Sequence, residues 1–262
     1  MAIKSQLKKI INILLKHFDI SIERRSYLDR QKANANVIKS YGLLKYLDID
    51  ESILYIKNLR NSKAQLKQDL FVLSHLRFKK NGFFVEFGAT NGINLSNTYM
   101  LEKEFNWEGI LAEPGRVWHR ELEKNRNCKI EKSCIWKESG KNILFNEVME
   151  GELSTIDFFT DKDFHRNSRK LGNKYYVKTL SLEDLLEKYN APKLIDYLSI
   201  DTEGSEYTIL NNFKFNKYRF KIITVEHNYT EKRNAIYNLL TKKGYTRKYE
   251  DVSGFDDWYV LD

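Results

Sequence analysis

Proline and cysteine are scarce in these 262 residues, with two of each. Two cysteines cannot build the disulfide framework of a small secreted domain. With no others nearby they also exclude a cysteine-type zinc site. Cys128 and Cys134 flank an expected strand and read as reduced, partly buried thiols. No apolar run approaches the roughly 20 residues of a membrane-spanning helix. The opening apolar residues are broken by Asn12 and lysines, so no secretory signal is expected. Repeats and low-complexity tracts are absent. A net basic excess is missing from most of the chain: residues 1–40 carry nine Lys/Arg and three Asp/Glu, or +6 of a net +8. A nearly balanced remainder speaks against a nucleic-acid groove and for a basic N-terminal attachment. Ile3, Leu7, Ile10, Ile11, Leu14, Leu15 and Phe18 recur at helical spacing, with Lys4, Lys8, Lys9 and Lys16 flanking or opposing them. Such a helix either lies in an anionic membrane interface or packs on the domain or a partner. The expected organisation is a helical extension at 1–61 and one domain at 62–262. The expected location is cytoplasmic, peripheral to the inner face of the membrane.

The most informative stretch is Gly82 to Gly92, an apolar strand entering a glycine-bearing turn at Gly88, with a helix expected from Ile93 to Glu104. A strand–turn–helix unit presents backbone N–H groups where α/β proteins bind nucleotide-like ligands. Gly109 to Glu113 repeats the pattern, and an acid ending a second strand suits both hydroxyls of a ribose. Together they suggest an adenosine cofactor. The middle glycine of the dinucleotide fingerprint is missing, since Ala89 and Thr90 stand between Gly88 and Gly92. Glu86, inside an apolar strand, needs a cation or several N–H donors; a sulfonium cofactor with an amino-acid tail supplies that charge.

Other elements follow from pattern. Ser62 and Gln65 suggest a capping box for a helix to about Arg77 that carries Gln68 and Asp69. Strands are expected near 128–135, 142–148, 153–158, 175–180, 194–200, 220–225, 245–249 and 257–261. Helices are expected after Glu113 to about Asn125, and at 182–188, 206–211 and 232–242. The polar, cationic segment 159–173 reads as a mobile lid or a solvated loop.

Several ordered motifs resemble the FkbM-type family of S-adenosylmethionine-dependent methyltransferases: Phe84 to Gly92, Leu95 to Thr98, Trp107 to Pro114, Asn125-Arg126, Leu153 to Ile156, Thr179 to Leu182, Ile195 to Glu206, Thr224 to Asn228 and Asp257 to Val260. The resemblance spans about Gln65 to the C-terminus. It implies a Rossmann-like class I methyltransferase fold, with a seven-stranded, mostly parallel sheet. It also implies S-adenosyl-L-methionine as cofactor. The cofactor residues expected are Glu86, Gly88, Ala89, Asn91, Gly92, Ser96, Asn97, Glu113, Pro114 and Ser133. The family usually has an aspartate near the Gly88 turn; Asn91 keeps the hydrogen bonding without the charge.

Asp201, Glu203 and Glu206 follow one strand, and Glu226 and His227 the next. Clustered acids repel unless a cation lies between them: the cofactor sulfonium, a divalent metal or an arginine. Asp201, Glu203 and His227 are the catalytic candidates, with His227 a possible proton acceptor. Glu203 and Glu206 have helix capping as the plainer role. Asp201, Glu226 and His227 offer ligands for Mg²⁺ or Mn²⁺, although metal-free chemistry is the default. The expected activity is O-methylation of a sugar hydroxyl in a cell-envelope glycan or lipid-linked saccharide. A small-molecule, polyketide-like acceptor and a non-catalytic membrane-associated binding protein are the alternatives.

Overall fold

The computed structural model describes residues 41–161 and 164–262. The chain divides into two compact units, Met1–Lys45 and Tyr46–Asp262. The proposed helix at 1–18 lies outside the described residues. Among those described, no helix is long and apolar enough to cross a membrane.

The elements of the larger unit, in chain order, are α1 Ile49–Asn58, α2 Gln68–His75, β1 Phe83–Phe87, α3 Tyr99–Phe105, β2 Glu108–Ala112, α4 His119–Asn125, β3 Lys129–Glu131, β4 Cys134–Trp136, β5 Asn142–Glu147, β6 Thr155–Ile156, β7 Asn173–Ser181, α5 Leu182–Lys188, β8 Leu194–Ile200, α6 Glu206–Asn211, β9 Arg219–Glu226, α7 Lys232–Lys242, β10 Tyr245–Lys248 and β11 Asp256–Leu261. Seven strands form the main sheet in the order β10-β11-β9-β8-β1-β2-β3. Its β9-β8-β1-β2-β3 part is parallel, and β11 runs antiparallel to both β9 and β10. The expected seven-stranded, mostly parallel sheet is therefore present. A smaller sheet, β4-β7-β5-β6, is built from the insertion.

The central strands are buried on both faces, as parallel strands between helices must be. Ile110, Val85, Leu198 and Ile223 are register neighbours across four strands, and all four belong to the main core. The adjacent row is different. Glu86, Ser199 and Thr224 are also neighbours, and all are buried. Trp258 continues that row beside Thr224 and stacks on Phe71 of α2, ring centroids 4.6 Å apart.

Chain order runs from β1 through β2 to β3 on one side of β1, and from β8 to β9 on the other. Ligands of open α/β sheets bind at such a reversal, beyond the carboxyl ends of the strands. Gly88 follows β1, Glu113 follows β2 and Asp201 follows β8, so the fold brings these three loops together.

Four local expectations are corrected. The helix expected from Ile93 begins only at Tyr99. Asn91 Oδ1 accepts the N–H groups of Ile93 and Asn94, and Leu95 takes a left-handed φ of 60°. The next residues are drawn to Glu86, so an α-helical hydrogen-bond ladder cannot start. The capping box sits on α1 instead, where Asp48 Oδ1 accepts from Glu51 N at 2.8 Å and Glu51 Oε2 from Asp48 N at 3.3 Å. Ser62 donates to Asp69 Oδ1 at 2.7 Å. The strand expected at 128–135 is split into β3 and β4, because the chain passes from one sheet to the other between them. Only Thr155 and Ile156 of 153–158 form a strand, flanked by 3-10 turns at Gly151–Leu153 and Asp157–Phe159.

Candidate functional site

A cleft opens at the carboxyl ends of β1, β2 and β8. Glu86, Gly88, Asn97, Glu113, Pro114, Asp201 and Glu203 line it, and the insertion adds Ile135, Phe145, Gly151, Ser154 and Ile156. Gln65 and Gln68 of the segment before β1 also reach it. Ala89, Asn91, Gly92, Ser96 and Ser133 do not line the cleft. They act behind it, or away from it: Asn91 closes the turn described above, and Ser133 donates its N–H to Glu131.

Gly88 has a φ of +75°, and a Cβ added there would stand 2.0 Å from the Asp201 carbonyl oxygen. The glycine is thus required by the close approach of two strand ends, before any ligand enters. A larger residue would push those loops apart.

Glu86 meets its counter-charge inside the protein. It accepts from Asn97 N at 2.7 Å and Ser96 Oγ at 3.1 Å, and from Thr98 Oγ1. Arg126, fully buried, lies 3.9 Å away. Burial raises the Glu86 proton affinity, and Arg126 opposes it. Arg126 is the residue that pattern reading left without a role. It also donates to Glu102 Oε2 at 2.6 Å, Gly92 O at 3.1 Å, Ser96 Oγ at 3.1 Å and Thr98 Oγ1 at 2.9 Å. These bonds hold the 92–98 loop against β1. The cation beside Glu86 is therefore an arginine, where the sequence suggested the cofactor.

One consequence reaches the cleft. Asn97 donates through Nδ2 to Ser199 Oγ at 2.9 Å, and its Oδ1 is buried without a partner. An unpaired buried carbonyl is costly, and a cofactor ammonium is a donor that would satisfy it. Glu113 offers the second fit. Thr90 N donates to its Oε2 at 2.8 Å and Gly115 N to its Oε1 at 2.7 Å. Each carboxylate oxygen keeps a further lone pair for a ribose hydroxyl. Burial pushes Glu113 up to about 7, against those two N–H groups. The residues present thus fit S-adenosylmethionine at both ends.

The acids after β8 and β9 separate into distinct roles. The carboxylates of Asp201, Glu203 and Glu226 offer oxygens within 4.8 Å of one another. Glu203 replaces His227 in the trio expected from sequence. Arg169 NH2 is 2.8 Å from Glu203 Oε2, so a guanidinium supplies the positive charge there. Glu206 accepts from Thr202 N, Thr202 Oγ1 and Gly204 N at 2.9–3.0 Å, so it closes the loop before α6 rather than capping the helix, whose N-cap residue Ser205 makes no side-chain cap bond. Asp201 and Glu226 are neighbours within the group of three carboxylates. Neighbouring buried carboxyl groups disfavour each other's ionisation. Burial pushes Asp201 up to about 7, and burial with the neighbouring acids pushes Glu226 well above the usual carboxyl range.

His227 is not brought to the cleft. Its Nδ1 accepts the Tyr229 N–H at 3.0 Å, which leaves the ring proton on Nε2, 3.7 Å from Asp257 Oδ1. Burial lowers its proton affinity. Asp257 is already held by Arg233 at 2.7 Å and Arg247 at 3.1 Å. His227 fixes the turn after β9.

No curated protein matches the chain. Among solved structures, a precorrin-6y C5,15-methyltransferase from Geobacter metallireducens is 11% identical with a TM-score of 0.40, over 69% of this chain and 71% of that one. A methyltransferase from Pyrococcus furiosus is 14% identical with a TM-score of 0.37, over 75% and 81%. The model of the methyltransferase FkbM domain matches residues 86–247, more than half of the chain, from Glu86 through the cleft and past His227. With that match the chain belongs to the FkbM methyltransferase family, and it is an enzyme that uses S-adenosylmethionine.

Proposed function

We propose that the chain methylates a hydroxyl group of a sugar, in a cell-envelope glycan or lipid-linked saccharide. Bound S-adenosylmethionine supplies an electrophilic methyl group. Transfer to oxygen also requires a home for the hydroxyl proton, and the observation that carries the proposal is Asp201. It lines the cleft, lies beside Glu226 and has a proton affinity near neutrality. A base with that affinity is effective at physiological pH. The carboxylate receives the proton as the acceptor oxygen forms its bond to carbon, while Glu113, Asn97 and the Gly88 turn orient the donor.

The basic, apolar-periodic sequence at 1–18 fits attachment to an anionic membrane surface, where lipid-linked acceptors reside. The test is to incubate the purified chain with methyl-labelled S-adenosylmethionine and a panel of envelope glycans, free sugars and polyketide-like alcohols. Label in a glycan hydroxyl is expected. Label confined to small alcohols, or to carbon or nitrogen, would overturn this acceptor.

A further inference from the structure

Arg169 lies in the segment expected to be a lid or a solvated loop. Asn167, Ser168 and Lys170 around it are exposed, and Leu171 is 98% exposed. Its own side chain is fully buried. Burying a guanidinium is costly unless its donors are matched. Arg169 Nε donates to Leu153 O at 2.7 Å, and NH2 to Glu203 Oε2 at 2.8 Å. Its carbonyl oxygen accepts from Asn146 Nδ2 at 2.9 Å. Thr155 Oγ1 adds a parallel tie, donating to Glu203 O at 2.8 Å. The residue held this way is backbone-strained: Glu203 has a φ of +56°, in the left-handed region.

These bonds join two walls of the cleft. Gly151, Glu152, Ser154 and Ile156 belong to the insertion; Asp201, Thr202, Glu203 and Ser205 follow β8. Leu153 and Glu203, the two groups that Arg169 grips, sit inside those two runs.

We propose that Arg169 is a positioning residue for the acceptor end of the cleft. It locks the loop after β8 to the inserted wall, and it commits Glu203 to an ion pair so that Asp201 is left as the proton acceptor. This rests on the hydroxyl-methylation reading above for the role of Asp201. The lock itself does not depend on which acceptor binds. Leu153 to Ile156, tied through Arg169, then serve as a pinned wall whose distance from Asp201 sets the room for the acceptor.

Hydrogen exchange with mass spectrometry on the full chain, with calorimetry using S-adenosylhomocysteine, tests the lock. Arg169→Met is expected to raise exchange in 150–156 and 201–206 at least about tenfold, leaving β1 and β2 unchanged. Cofactor affinity should stay within about threefold, because Glu113 and Gly88 are untouched. Arg169→Lys retains a charge but not the two-pronged geometry, and should fall between the two. Glu203→Gln breaks the ion pair and keeps the Leu153 tie, so its rise should centre on 201–206. If Arg169→Met does not fold, the lysine and glutamine variants carry the test. Unchanged exchange in both segments would overturn the proposal, as would a rise spread equally through β1 and β2. A tenfold loss of cofactor affinity in Arg169→Lys would place the residue on the donor side, against the proposal. A failure of the glycan assay would remove the acceptor reading while leaving these exchange results standing.

Discussion

Arg126→Leu is expected to destabilise the protein by about 3–5 kcal/mol, the range for removing one partner of a buried ion pair. The side chain is fully buried and makes four hydrogen bonds, three to the 92–98 loop and one to Glu102 of α3. Without it Glu86 keeps its N–H and hydroxyl donors but has no cation, and the 92–98 loop loses its anchor. Burial pushes Glu102 up, yet Arg126 and the other partners hold it at about 2; that carboxyl would rise as well. In a domain of this size the melting temperature should fall by about 6–20 °C. The same variant should bind S-adenosylhomocysteine more weakly, since Asn97 is placed by the loop. A melting temperature within about 2 °C of wild type would show that the Glu86 cluster stands without its arginine.

Asp201→Asn should lower kcat by about 100- to 10,000-fold, the ordinary span for losing a general base, with little change in S-adenosylhomocysteine affinity. The amide keeps the shape and loses the proton-accepting charge. His227→Ala makes the informative contrast. Its ring is engaged by Tyr229 N and faces Asp257, outside the cleft, so the loss should appear in the melting temperature and kcat should hold within about threefold. A profile in which His227→Ala abolished turnover and Asp201→Asn did not would reverse the two roles.

Sequence pattern located the sheet well because its strands are short apolar runs bounded by turn residues. Strand β8 and helices α5, α6 and α7 fall on the expected residues. Gly88, Glu113 and Asp201 were legible for the same reason: each ends a buried strand. The failures share a different cause. Ser96, Asn97 and Thr98 looked helical by spacing, but a buried carboxylate from another strand competes for their N–H and hydroxyl groups. Arg126 and Arg169 looked like two more surface cations in a basic chain. Nothing in local sequence marks an arginine whose partners lie 16 to 40 residues away and become neighbours only in the folded chain. His227 misled in the opposite sense. It sits at the expected strand end, and its ring is turned toward a carboxylate on β11.

The central claim is that Glu113, held by two backbone N–H groups at the end of β2, receives the ribose of S-adenosylmethionine. Calorimetric titration of wild type and Glu113→Ala with S-adenosylhomocysteine at pH 6 and pH 8 tests it directly. Glu113 lies near 7 in the free protein, and the hydroxyls require its charged form. Wild-type affinity should therefore rise by about tenfold from pH 6 to pH 8 as the carboxyl ionises. The alanine variant should bind about 5- to 150-fold more weakly at pH 8, the equivalent of about 1–3 kcal/mol for unpaired polar groups, and should lose the pH dependence. Equal affinity of the two proteins at both pH values would contradict the account.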